Sequence, residues 1–308
     1  MINANDYGKM FREIVSEFTD DDNCGEVASY IPALGKIDPS KFGIHLTTVE
    51  ESHHSFGDSN EKFSIQSIGK VLSLALALKI IGNDVWDRVD VEPSGSAFNS
   101  LVQLEYEKGI PRNPLINAGA IVVCDILVTC LDNPKTELLE FVRKSSGITS
   151  IDYSLSIAES EKAVGYRNNA VINLMKDFGN IHNDVETVLD LYFHLCSIEM
   201  TCKELAQSFL FFASNGVNPI TNETIINPRR AKRINSVMQM CGFYDEAGEF
   251  AFRVGLPGKS GVSGSIVAIH PGEYCIAVWS PKLNVKGNSH KGMKLLEALT
   301  TKTQSSIF

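Results

Sequence analysis

The run Val71-Leu72-Ser73-Leu74-Ala75-Leu76-Ala77-Leu78 is apolar on nearly every face of a helix. Such a helix has no side to offer to water and is buried. At its mouth stands Ser67-Ile68-Gly69-Lys70, an S-x-x-K. Residues three apart share a helix face, so the hydroxyl and the amine would lie side by side. Serine is a weak nucleophile until a base takes its proton. Burial lowers a lysine's pKa and can free its amine to be that base. The tetrapeptide alone also fits an N-cap serine followed by a solvated lysine. A second S-x-x-K, Ser59-Asn60-Glu61-Lys62, follows Gly57-Asp58 in a polar stretch and reads as a turn.

The chain has 308 residues, enough for one large domain or two small ones, and a formal net charge of −9. It carries no run of lysine or arginine, so nucleic acid is not expected as a partner. The longest apolar stretch, Ile116 to Leu131, is interrupted by Asp125 and is short for a membrane span. The start, Met1-Ile2-Asn3-Ala4-Asn5-Asp6, lacks a basic beginning and an apolar signal core. Seven cysteines (24, 124, 130, 196, 202, 241 and 275) form no C-x-x-C. That pattern predicts reduced thiols in a cytoplasmic protein, with neither a disulfide frame nor a zinc site. No metal or cofactor is expected.

The ends read as strands. Phe42 to Val49 alternates, Lys62 to Gln66 could be a short strand, and Ser265–Ile269 with Tyr274–Trp279 reads as a hairpin. The middle reads as helices over 98–108, 117–132, 135–146, 155–176, 184–198, 201–214 and 228–241, with a last helix over 286–301. The expected class is therefore α+β: one sheet assembled from both ends of the chain, with a large helical insertion.

Other motifs were weighed beside Ser67. Lys259-Ser260-Gly261 lies in a glycine-rich segment, Gly255 to Gly264, where a backbone N–H could face an oxyanion. The alternative is a glycine-rich turn with a surface lysine. Gly258-Lys259-Ser260 imitates the end of a phosphate-binding loop, but Arg253 stands where that loop needs glycine. An S-x-x-K followed by K-S-G before a C-terminal hairpin is the penicillin-recognising order, with Tyr166-Arg167-Asn168 between them as a Y-x-N. His53-His54 reads as a polar turn, and the remaining histidines lack ligand spacing. Met238 and Met240 read as core packing.

Longer strings make the resemblance specific. Glu26 to Leu34 (EVASYIPAL), Phe63 to Lys70 (FSIQSIGK) and Asn113 to Ile121 (NPLINAGAI) resemble signatures of the serine-dependent glutaminases. So do Leu195 to Glu199, Cys241 to Asp245 and Gly255 to Gly264, and the match runs from about Gly25 to Lys294. The resemblance implies a β-lactamase/penicillin-binding-like fold in a single domain over 1–308. Its sheet subdomain would span about 1–70 and 245–308, and its helical subdomain about 71–244. It implies hydrolysis of L-glutamine to L-glutamate and ammonia by a compact bacterial form. It also implies a homo-oligomer, dimer or tetramer, for which the apolar helix from Asn117 offers an interface.

Site roles follow from the same resemblance. Ser67 would be the nucleophile and Lys70 its activating partner. Tyr30 and Tyr244 would place hydroxyls near the reacting amide, with Tyr244 relaying a proton to the leaving ammonia. The backbone N–H groups of Ser67 and Val262 would form the oxyanion hole. Asn117, Glu161, Asn168 and Tyr192 would hold the amino-acid head, and Lys259 would keep the site positive. The family requires the asparagine at 168 but no tyrosine at 166, so Tyr166 receives no role. Amide hydrolysis needs a nucleophile, oxyanion donors and an acid for the leaving nitrogen, and these groups supply all three without a metal. Two other readings stand beside this one: a β-lactamase or peptidase of the same fold, and a catalytically silent amino-acid-binding protein. Without the resemblance, Glu161 would read as a solvated helix glutamate.

Overall fold

In a computed structural model of the chain, residues 6–19, 22, 24–94 and 101–308 are described. Five strands form one sheet in the order His53–Gly57, Gly43–Thr48, Tyr274–Trp279, Ser265–His270 and Gly258–Gly261. Every neighbouring pair is antiparallel. Side chains alternate across a sheet, and here both faces meet apolar neighbours. Ile44, Leu46, Ile266, Ala268, Ile276 and Val278 pack with Phe11, Ile14, Leu295 and Leu299 from the terminal helices Tyr7–Ser16 and His290–Thr303. Val267, Ile269, Cys275, Ala277 and Trp279 join the other core with Phe209 and Phe212. The central strand Tyr274–Trp279 is therefore buried at every position, and the sheet is assembled from both ends of the chain.

The helix Gly69–Ile81 is buried from Gly69 through Leu78. It packs against the helices Asn117–Cys130, Val185–Cys196 and Pro228–Cys241. Each fully buried leucine or valine contributes about 1.5–3 kcal/mol, so this helix is a firm base for whatever stands at its mouth. The helix Cys202–Ala213 lies across strands Gly43–Thr48 and Tyr274–Trp279. Its start is fixed by a reciprocal cap: Glu204 N–H donates to Thr201 Oγ1, and Thr201 N–H donates to Glu204 Oε2. A small second sheet pairs Ile198–Met200 with Phe63–Ser64 and Asp152–Tyr153, which pins the chain just ahead of Ser67. Among the described residues no helix is long and apolar enough to cross a membrane.

Several local expectations change. The helix expected over 155–176 is two, Leu155–Ala163 and Tyr166–Asp177. Val164 and Gly165 close the first with tight bonds to Glu161 O and Lys162 O. His53-His54 is not a turn: it opens the edge strand His53–Gly57, where Thr47 pairs with His53. The glycine-rich segment is not a turn either, because Gly258–Gly261 adds a fifth strand to the sheet. The helix Asn117–Cys130 is no free interface; Ala118 to Leu127 are buried inside this chain. Of the helix expected over 98–108, Val102–Tyr106 is present and 98–100 lie outside the described residues.

Candidate active site

Ser67 sits in a single tight turn, Gln66–Ile68, between the short strand Phe63–Ser64 and the buried helix. Ile65 N–H donates to Ile198 O at 2.8 Å and anchors the approach. Gln66 has φ 51°, a left-handed conformation unusual outside glycine. The N-cap alternative for Ser67 does not hold: the helix begins at Gly69, its N-cap is Ile68, and no side chain caps it. Nor is Lys70 solvated. It is 0 % exposed, and its Nζ donates to Asn117 Oδ1 at 2.7 Å and to Leu115 O at 3.3 Å. Burial pulls its pKa down to about 8. The acceptors are held in turn by Asn113, whose Oδ1 accepts from Leu115 N–H and Ile116 N–H. In the helix that follows, Gly119 is obligatory, since a Cβ there would lie 2.0 Å from Asn113 O.

The facing wall comes from the sheet. Strand Gly258–Gly261 runs against the Ser67 turn, and a Cβ on Gly261 would lie 2.6 Å from Ile65 O. That close approach brings Val262, in the turn to the next strand, into the same cavity as Ser67. Lys259 is 0 % exposed; its Nζ donates to Ser260 O at 2.6 Å and sits 4.2 Å from the centre of the Tyr244 ring. The ring face attracts the cation, while burial holds the amine well below its ordinary pKa. The surface-lysine alternative is thus excluded. Tyr244 lines the same cavity as Ser67, and its burial raises the phenol pKa, so its hydroxyl stays protonated. Its φ of 56° is again left-handed, a conformation that costs about 1–3 kcal/mol and persists only where neighbours enforce it. Two residues on, Glu246 accepts from Asn284 Nδ2 and Asn288 Nδ2.

Between the two walls lies a cavity of about 460 Å³, within the range of small-molecule sites. Ser67, Tyr30, Asn117, Glu161, Asn168, Tyr192, Tyr244 and Val262 all line it. Lys70 and Lys259 lie beneath its surface. Among the described residues Glu161 is the one carboxylate in the lining; it is buried, and its Oε1 has no hydrogen-bond partner among them. Burial lifts its pKa to about 7, opposed by a hydrogen bond from Gln66 and by the Lys70 charge. Asn117 Nδ2 donates to Asn168 Oδ1 at 2.9 Å. Tyr30 stands at the rim, 58 % exposed, on a loop tied to the Glu161 helix by Ala33 N–H donating to Ser160 Oγ. Tyr166 is 81 % exposed and does not line the cavity. Ser59 and Lys62 form the expected turn, away from it. Sequence reasoning missed Gln66, Arg167 and Cys196, which also line the cavity. Gln66 and Arg167 each adjoin a residue that it named, so adjacency was the available signal. Cys196 gave none.

Two walls meeting at a serine, one a buried helix and the other an antiparallel sheet, define an enzyme of the β-lactamase-like class, and solved structures of this architecture agree. A probable glutaminase superposes with a TM-score of 0.93 at 32% identity, covering 100% of this chain and 99% of its own. The Bacillus subtilis glutaminase, in a covalent complex with 5-oxo-L-norleucine formed by reaction with 6-diazo-5-oxo-L-norleucine, gives a TM-score of 0.88 at 30% identity over 98% of this chain and 100% of its own. A glutaminase of Saccharophagus degradans is 68% identical over 307 residues, spanning 100% of both chains. The family model described as Glutaminase matches residues 25–308, and the chain belongs to the glutaminase family. Membership decides among the readings left open by the sequence: the protein is a glutaminase, not a β-lactamase, a peptidase or a silent binder.

Proposed function

We propose that this glutaminase hydrolyses L-glutamine through an ester on Ser67. The carrying observation is one cavity that gathers Ser67, Tyr244 and Val262 beside buried Lys70, with Glu161 the only carboxylate among its described lining residues. The Ser67 hydroxyl attacks the side-chain carbonyl carbon as its proton passes to neutral Lys70. The developing oxyanion is met by the N–H groups of Ser67 and Val262. Tyr244 delivers a proton to the departing nitrogen, ammonia leaves, and water then attacks the ester to release L-glutamate and restore the serine. Glu161 pairs with the substrate ammonium, while Asn117, Asn168, Tyr192 and the Tyr30 hydroxyl hold the head. Lys259 stands behind the Tyr244 ring, where the ring face favours its charged form and burial opposes it. The covalent adduct of the Bacillus relative with a glutamine analogue supports a nucleophilic route.

The reading extends to a single domain with a sheet part over about 1–70 and 245–308 and a helical part over about 71–244. It extends also to a cytoplasmic homo-oligomer, dimer or tetramer. The cysteines, free among the described residues and mostly buried, support the reducing compartment. The test is release of glutamate from L-glutamine by purified protein. Ser67→Ala should lose nearly all turnover while melting like wild type, and Ser59→Ala should retain it. Full activity in Ser67→Ala would exclude the ester.

A further inference from the structure

The lysine beside the nucleophile also governs two asparagines. Below its pKa of about 8 Lys70 is charged in the free enzyme, and a charged lysine offers protons and accepts none. Lys70 Nζ lies 2.7 Å from the Asn117 side chain, so Asn117 must turn its carbonyl oxygen that way. The other end of that amide, Nδ2, then faces Asn168 and donates to Oδ1 at 2.9 Å. Asn168 has its oxygen committed, and the end left for the cavity it lines is the NH₂. An isolated amide has no preferred sense, since half a turn exchanges oxygen and nitrogen. Here each orientation is dictated by the group before it, starting at the ammonium. The head of the chain cannot drift: the second acceptor of Lys70, Leu115 O, belongs to the loop clamped by buried Asn113.

We infer that Lys70 is a positioning residue as well as the serine's partner: through Asn117 it fixes Asn168 as a donor, and this relay makes the site select a free α-carboxylate over a neutral α-amide. The inference rests on the glutaminase reading above. A carboxylate only accepts hydrogen bonds, so a cavity-facing NH₂ suits it. Asn117→Asp reverses the relay. The aspartate accepts on both oxygens, from Lys70 and from Asn168, so Asn168 must rotate its NH₂ inward and show its oxygen to the cavity. That oxygen repels a carboxylate and accepts from an α-amide NH₂.

The experiment uses L-glutamate and its α-amide, L-isoglutamine, as ligands, with dissociation constants from calorimetry on the whole protein. Wild type should prefer L-glutamate. Asn117→Asp should erode or reverse that preference by roughly 10- to 100-fold, the scale of one hydrogen bond to a charged group. The ratio is the readout, because damage common to both ligands cancels. Asn117→Leu, which removes the amide without changing any charge, breaks the relay and should also narrow the ratio; it separates the relay from the charge that Asn117→Asp adds and keeps the test available if the aspartate variant does not fold. An unchanged ratio in the folded variants overturns the relay. Absence of glutamate release from L-glutamine by wild type overturns the reading beneath it instead.

Discussion

Lys70 and Glu161 are pulled toward neutrality from opposite sides by the same cause. Burial lowers the lysine to about 8 and raises the glutamate to about 7. The two proposed roles ask the same of pH. Glu161 must be ionised to hold the substrate ammonium, so as pH falls through about 7 it takes a proton and KM rises. Lys70 must be neutral to accept the serine proton, so the competent fraction grows as pH rises through about 8. Both limbs slope the same way, and kcat/KM, which reports the free enzyme, should climb across that interval. Glu161→Gln should remove the lower limb and raise KM. Lys70→Arg should remove the upper limb, because arginine stays charged. Michaelis curves for the three proteins across pH give the answer; a flat wild-type profile contradicts both assignments.

At the scale of elements, catalysis depends on how closely strand Gly258–Gly261 approaches the Ser67 turn. Gly261→Ala is an instructive change. The residue does not need a left-handed backbone, so the effect is steric: the new Cβ would meet Ile65 O at 2.6 Å. Either the strand or the turn must retreat, and Val262 then loses its position relative to Ser67. Overpacking of this kind costs about 1–3 kcal/mol of stability, and misplacement by about 1 Å can cost 10²-fold in rate. A modest drop in melting temperature with a large drop in kcat is expected. Wild-type kcat in this variant would show that the contact does not set the site.

The same elements show what could be read from the chain. The helix Pro228–Cys241 matches its sequence reading because Asn227 and Pro228 punctuate its start and the apolar spacing runs unbroken. The buried helix after Ser67 was legible for a similar reason, having no polar face. The break at Val164 was not, because Gly165 is shaped by a neighbour: a Cβ there would strike the Phe193 ring. His53-His54 is a strand through its pairing with Gly43–Thr48, a partner that polarity does not reveal. The strand Gly258–Gly261 hid behind its glycines. Of the site, the places of both lysines and of eight cavity-lining residues, Ser67 among them, could be named in advance from motif strings, while Gln66, Arg167 and Cys196 received no role. The left-handed turns at Gln66 and Tyr244 could not, since neither residue type favours that conformation and nothing in the local sequence marks it.

In the whole molecule, the two halves of the site come from different layers. Ser67, Lys70, Asn117 and Glu161 stand on the helical side, and Lys259 and Val262 belong to the sheet. One apolar cluster joins the inner face of the sheet to the helices, and a second covers the outer face, so the cavity opens where the two layers are packed together. An electrophilic glutamine analogue should fill that cavity and react with the nucleophile it finds there. The direct measurement is treatment with 6-diazo-5-oxo-L-norleucine followed by peptide mapping in a mass spectrometer. A single adduct on Ser67, absent in Ser67→Ala and suppressed by excess L-glutamate, is the predicted result. An adduct carried instead by Cys196 or Tyr244, or inactivation that leaves Ser67 unmodified, would contradict the account at its centre.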